Sequence, residues 1–395
     1  MDHVGIDLHK VESQICVLRQ EGERVDLRIR TTHERLRQAL APYRGSPILV
    51  EASTESEWVA RWLEELGHPV VVADPNYAPM YAHRSRRIKT DRRDAHTLAE
   101  ACRRGTYRPA HRTSEPQRAV RSLLTVREVL VRARVRAIVV VRSLYRQQGW
   151  GIRTGLAESF TRRIAEVAVA PALAGTVAPL IEMIDQLTTR IRGMDRQLEQ
   201  QARDNPVVER LRTVPGVGPV TALGFVAALD EVGRFDSAHR VESYLGLVPR
   251  ERSSGEKQRR GRISKAGSSR VRWLLVEAAW RIQHYRRDDL RSLQLWTQGI
   301  RLRRGKKIAT VALARRLAGI LYALWRDGGT YDASRLERTR VVQPFRPVQN
   351  VGEMSATPSL AVVEAVSHVA PLTFEPPHAR CPQRHHRTER EQKGE

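Results

Sequence analysis

The chain has 395 residues, 41% of them apolar, enough for two domains with cores of their own. Its 68 Lys and Arg against 44 Asp and Glu leave a formal charge of +24, which points to a polyanionic partner, nucleic acid foremost. No long uncharged apolar run suggests a membrane span, and the start Met1–Lys10 lacks the apolar stretch of a signal peptide. Cys16, Cys102 and Cys381 have neither metal-ligand nor disulfide spacing, so a cytoplasmic protein acting on DNA or RNA is expected.

Along the chain, Val4–Asp7, Ser13–Arg19 and Arg24–Arg30 read as three strands joined by short polar turns, an antiparallel meander. A helix is predicted over His33–Tyr43, a strand over Pro47–Val50 ending at Glu51, and a helix over Glu57–Leu66 closed by Gly67. Val70–Val72 is a fifth strand, and a helix runs from about Asp91 to Arg103. The order strand-strand-strand-helix-strand-helix-strand-helix resembles the ribonuclease H-like fold, the scaffold of many polynucleotidyl transferases.

Residues 115–147 read as an arginine-rich helix broken by Gly149 and Gly151. Val177, Leu180, Ile184, Leu187, Ile191, Met194 and Leu198 then step by three and four, a heptad seam that pairs either with another chain or with the 115–147 helix. A mostly helical region covers 206–328, and the proline-rich stretch beyond Tyr331, ending in a polar run, reads as a disordered tail. The expected organisation is an α/β catalytic domain over 1–110, a helical coiled-coil region over 111–205, an all-α domain over 206–335 and a tail over 336–395.

Asp7 ends the first strand and Glu51 the fourth, so both belong on one sheet rim; Asp91 and Asp94, three residues apart, share a helix face. Each acid alone has an ordinary explanation, a turn residue or a partner of the helix dipole. Together, in so basic a chain, they fit a site where Mg²⁺ offsets their repulsion and assists phosphoryl transfer. The adjacent run His83–Lys89, with Arg86, Arg87 and Lys89, is either a solvated face or a clamp on a nucleic-acid backbone.

Thr213–Gly218 lies between two helical patterns and reads as a helix-hairpin-helix turn, in which Gly216 and Gly218 let backbone N–H groups approach a phosphate; an ordinary glycine turn is the alternative. Pro249–Arg262 is too polar for a core and reads as a loop, with Arg252, Lys257, Arg259, Arg260, Arg262 and then Lys265 as phosphate-binding cations. Ser253, Ser254, Ser264, Ser268 and Ser269 compete as nucleophiles in these cationic surroundings, and loop serines are ordinarily turn formers.

Gly5-Ile6-Asp7, Val50-Glu51-Ala52, Lys89-Thr90-Asp91-Arg92-Arg93-Asp94-Ala95, Val214-Pro215-Gly216-Val217-Gly218, Tyr244–Pro249, Ser253-Ser254-Gly255 and Ser264-Lys265-Ala266-Gly267 occur in one order over about residues 3–335. In that set the chain resembles the transposases of the bacterial insertion-sequence one-ten family, RNA-guided recombinases with a DEDD, RuvC-like domain. The resemblance implies that Asp7, Glu51, Asp91 and Asp94 bind Mg²⁺ and that Ser254 is the nucleophile, forming a phosphoserine with DNA. It also implies a homo-oligomer assembled through the coiled coil and a noncoding guide RNA that selects donor and target DNA. The run Ser53–Trp58 departs from the Thr-Gly that usually follows the glutamate in that family. The rival functions are a RuvC-type structure-selective endonuclease and a non-catalytic nucleic-acid-binding protein.

Overall fold

The structure, a computed structural model, describes residues 1–82, 90–254 and 257–338, with side chains except at 252–254, 257–260 and 336–338. Alternation along the first strand sets the layers of the N-terminal region. Val4 and Ile6 face one way and Gly5 the other, as the period of two requires. β1 (His3–Asp7), β2 (Glu12–Leu18) and β3 (Arg24–Arg30) form the expected meander, and β4 (Ile48–Glu51) and β5 (Val70–Ala73) add in parallel, giving the order β3-β2-β1-β4-β5. On the Val4–Ile6 face, α1 (His33–Leu40) and α2 (Ser56–Glu65) bury Leu36, Leu40, Val59 and Leu63. On the Gly5 face, α3 (Asp91–Arg104) buries Ala95, Leu98 and Ala99 over Cys16 and Leu49.

Two long helices follow. α4 (Glu115–Gln147), the short α5 (Phe160–Ala165) and α6 (Pro171–Arg203) form a hairpin, in which Arg127 pairs with Asp195 at 2.5 Å and Arg134 donates to Thr188 at 3.4 Å. The rise of one number as the other falls makes α4 and α6 antiparallel. The heptad seam is therefore used within the chain: Val177 and Ile184 pack with Ala137, Val141 and Tyr145, and Leu198 joins Leu124 in the next core. That resolves the choice left by the sequence in favour of α4 as the partner of α6.

The C-terminal helices are α7 (Pro206–Arg212), α8 (Pro219–Leu229), α9 (Ala238–Tyr244), α10 (Ser269–His284), α11 (Arg291–Arg304), α12 (Lys306–Asp327) and α13 (Ala333–Arg338). α8 is buried along almost its whole length among α4, α6, α7 and α10, and α12 packs on α10 and α9, bringing Leu317 and Tyr322 into the same core as Leu275 and Ala279. Among the described residues α12 alone is long and apolar enough to cross a membrane, and its inward face, Leu313 to Leu321, is core. The segment read as a loop is instead a hairpin, β6 (Pro249–Ser254) against β7 (Lys257–Ile263). Its sequence carries no apolar alternation to mark it as strand, and where side chains are described, at Pro249, Arg250, Glu251, Gly261 and Arg262, it is exposed. The tail expected over 336–395 lies almost wholly outside the described residues, as does the cationic run 83–89.

Candidate catalytic site

Four carboxylates converge at one end of the sheet for reasons visible in the local sequence. β1 and β4 are parallel neighbours with Ile6 opposite Val50, so Asp7 and Glu51 are the next residues out on the same rim. α3 begins at the same place. Thr90 caps it by accepting from the Arg93 amide, and Gly105 closes it in the left-handed conformation. Asp91 and Asp94 thus also sit in a helix first turn, and the dipole reading holds beside the site reading. A cleft of about 240 Å³ is lined by Asp7, Leu8, His9, Glu51, Ser53, Asp91 and Asp94.

Electrostatics mark the cluster. Burial pushes the Asp7 carboxyl above its ordinary value; His9 draws it down, while Asp94, Asp91 and Glu51 push it further up. His9 Nε2 lies 3.4 Å from Asp7 Oδ2 and 3.7 Å from Asp91 Oδ1. One donor atom from each of Asp7, His9 and Asp91 falls within 4.8 Å of the others. A set of carboxylate oxygens with one imidazole, in mutual repulsion, is the chemistry a divalent cation neutralises. The residues present fit such an ion.

His9 and Tyr81 were not singled out in the sequence. Tyr81, on the turn Ala78–Tyr81, donates its hydroxyl to Glu51 Oε2 at 2.7 Å and fixes that carboxylate. His9 could have been found from its place two residues past Asp7, just beyond the rim. The departure at Ser53–Trp58 also has a structural account. Glu55 accepts from the Trp58 indole at 2.6 Å, and Glu57 pairs with Arg112 at 3.0 Å and Arg118 at 2.9 Å. Glu57 thus braces α2 against the start of α4, Glu55 ties the first turn of α2 to Trp58, and Ser53 lines the cleft.

The second group of candidates is carried elsewhere. Ser254 ends β6, opposite Lys257 on β7, and Arg252 is opposite Arg259. Arg262 and Lys265 are exposed. The Thr213–Gly218 turn does join α7 to α8, and Gly216 needs its glycine: φ is +90°, and a Cβ would lie 3.0 Å from Ile282. Gly218, by contrast, opens α8 with free space where a Cβ would stand. Arg86, Arg87 and Lys89 lie outside the described residues.

Comparison with known proteins shows what kind of enzyme carries this site. A DEDD transposase family model matches residues 4–148, which include all four acids, and the model described as "Transposase IS116/IS110/IS902 family" matches residues 208–293, which include the hairpin. A "Probable family 20 transposase" of Pseudomonas aeruginosa is 31% identical, covering 82% of this chain and 96% of its own length. The transposase for insertion sequence element IS1111A of Coxiella burnetii is 28% identical, covering 83% and 90%. A "Pilin gene-inverting protein" of Moraxella bovis is 25% identical, covering 72% and 81%. Fold and site thus define a transposase, an enzyme that cuts and rejoins DNA. The chain belongs to the IS116/IS110/IS902 family.

Proposed function

We propose that this transposase moves its insertion sequence through a composite site, with Mg²⁺ held by Asp7, Glu51, Asp91 and Asp94 and with Ser254 as nucleophile. The observation that carries the reading is the convergence of the four acids on one cleft, on a ribonuclease H-like strand order, in the same chain as a serine-bearing hairpin. The bound ion would supply positive charge to the phosphate oxygens as their charge grows. His9 adds a nitrogen donor to the cluster, and Tyr81 holds Glu51 in place.

Ser254 Oγ bonds to phosphorus as the bond from phosphorus to the leaving deoxyribose oxygen breaks. The serine proton passes to solvent and the strand leaves with a free hydroxyl. Attack of another strand's hydroxyl on the phosphoserine joins the strands and restores the serine. Arg252 stands opposite Arg259 in the strand register, so two cations share one position along the hairpin, which suits a polyanionic partner. Lys257, Arg260, Arg262 and Lys265 extend that charge, and Gly216 and Gly218 offer a further phosphate contact. Arg86, Arg87 and Lys89 would clamp the backbone beside the acids. The gene-inverting relative favours rejoining over simple hydrolysis, since an inverted segment must be resealed.

A noncoding guide RNA and a cytoplasmic location complete the reading on family resemblance. Its oligomer forms on the outer face of α4, where Val126, Val129 and Val140 are exposed at helical spacing, because α6 has spent its seam within the chain. Lysine at Val129 and Val140 should leave the melting curve intact and shift the sedimentation coefficient to that of a single chain; an unchanged coefficient rules that face out. The acid cluster is tested by Asp94→Ala in Mg²⁺. Loss of DNA cleavage by a chain that still melts cooperatively is expected, and unchanged cleavage would remove the cluster from the mechanism.

A further inference from the structure

A second cavity, of about 400 Å³, opens between α4, α8 and α10. Its wall carries two guanidiniums, Arg121 and Arg270, and the ring of Tyr244, over a floor of Leu124, Ala228 and Val271. The volume falls within the range of ligand pockets, as does the pairing of an apolar floor with a few convergent polar groups. None of the four acids contributes to it, and among residues with described side chains neither Arg262 nor Lys265 does.

The two arginines are placed by the protein and keep donors to spare. Arg121 gives Nε to the Ala227 carbonyl at 2.7 Å and Nη2 to that of Ala228 at 3.2 Å. Arg270 gives Nε to Glu128 at 2.5 Å and Nη1 to the Arg121 carbonyl at 3.3 Å. Those bonds engage two of the five donors on each guanidinium. Burial presses the Arg121 pKa down, with Tyr244 and Asp230 opposing it, so this cation has lost water that an anion would replace. Phe235 meets the Tyr244 ring edge-on at 5.2 Å, the Arg234 guanidinium lies over it 5.7 Å from its centroid, and its hydroxyl donates to the Ala228 carbonyl at 3.4 Å, so the ring is held in place while 38% of the residue stays exposed for a base on its open side.

The cavity also sits at the root of the serine hairpin. The Ser264 amide donates to Val248 and the Lys265 amide to Gly246, closing the chain just outside β6 and β7. Gly246 and Gly267 interlock there, each with a positive φ and with a backbone atom within 2.3 Å of where a Cβ would stand. Tyr244 and Ser268 flank this closure and line the cavity. From Pro249 to Ser254 the strand spans at most about 16 Å, a reach of a few nucleotides.

We propose that this cavity takes one unpaired nucleotide of the DNA strand being exchanged, its base stacked on Tyr244 and its phosphate on Arg121 and Arg270. The inference rests on the cut-and-rejoin reading, in which nucleotides beside the transferred phosphate leave their first partners before gaining new ones. A stacking ring accepts any base, and the guanidiniums read only phosphate, so the pocket holds the strand without choosing sequence.

The test uses the full chain carrying Ser254→Ala, without divalent metal, so that binding is read apart from chemistry. The probe is a single-stranded DNA oligonucleotide containing 2-aminopurine, compared with the same sequence fully paired and with free deoxyadenosine monophosphate. Quenching of 2-aminopurine should accompany binding of the single strand and little should accompany the duplex, and deoxyadenosine monophosphate should displace the single strand only weakly. Tyr244→Leu should weaken binding about tenfold and Tyr244→Phe should not. Thr125→Trp, at the exposed mouth of the cavity, should fill it and weaken binding similarly with an unchanged melting curve. Equal quenching in the duplex, equal affinity for the mononucleotide, or parental binding by Thr125→Trp would overturn the proposal. Failure of Ser254 as nucleophile would leave this result standing.

Discussion

A Cβ built on Gly5 would stand 2.3 Å from the Ala95 carbonyl oxygen and 2.2 Å from the Ala99 amide nitrogen. The backbone of α3 therefore lies directly on β1, and only glycine at position 5 permits it. That contact carries Asp91 and Asp94 to Asp7. Gly5→Ala forces the helix outward, and the expected cost is about 1–3 kcal/mol or more. The drop should be seen by thermal melting, with metal affinity lost beyond what stability explains. A parental melt and parental metal binding would mean that α3 can shift freely.

His9 gives the cluster a nitrogen donor. Imidazole suits Ni²⁺ better than it suits Mg²⁺, which prefers carboxylate oxygens and water. His9→Ala should weaken Ni²⁺ binding about tenfold by calorimetry, and Mg²⁺ binding by much less. Equal losses for the two ions would place His9 outside the coordination shell.

Asp7 has a raised pKa through burial first and neighbouring acids second, with His9 opposing. The folded state then holds the Asp7 proton more tightly than the unfolded chain does. Its stabilising effect is present below the ordinary carboxylate value and is lost as pH rises through the folded value. At neutral pH without metal, Asp7→Asn should melt higher than the parent, and the gap should close as the pH falls to about 4. Added Mg²⁺ should raise the parent's melting point and leave the variant unmoved. A lower melting point for the metal-free variant at neutral pH would contradict the repulsion described here.

Much of this was legible in the sequence where local pattern and tertiary need agree. The three-strand meander, the acid-ended strands and the helix from Asp91 carry their signals in period, cap and turn residues. α4 was readable from its arginine-rich helical stretch and from Gly149 and Gly151, which follow it. The β6–β7 hairpin was not legible: the fourteen residues from Pro249 to Arg262 are almost all polar and have no hydrophobic period to read. The partner of the α6 seam was equally hidden, since heptad spacing specifies a knob but not whose hole receives it. Tyr81 is thirty positions from Glu51, and only the folded sheet makes them neighbours.

Strand transfer by this route requires Ser254 to meet DNA at a phosphate. The most direct measurement is recovery of a covalent DNA–protein adduct from a cleavage reaction in Mg²⁺, mapped by peptide mass spectrometry after digestion of both polymers. A phosphonucleotide mass on Ser254, absent from the Ser254→Ala chain, is the expected result. An adduct that persists in Ser254→Ala, or cleavage by that variant at the parental rate, would contradict it and return the acid cluster to water-activating nuclease chemistry.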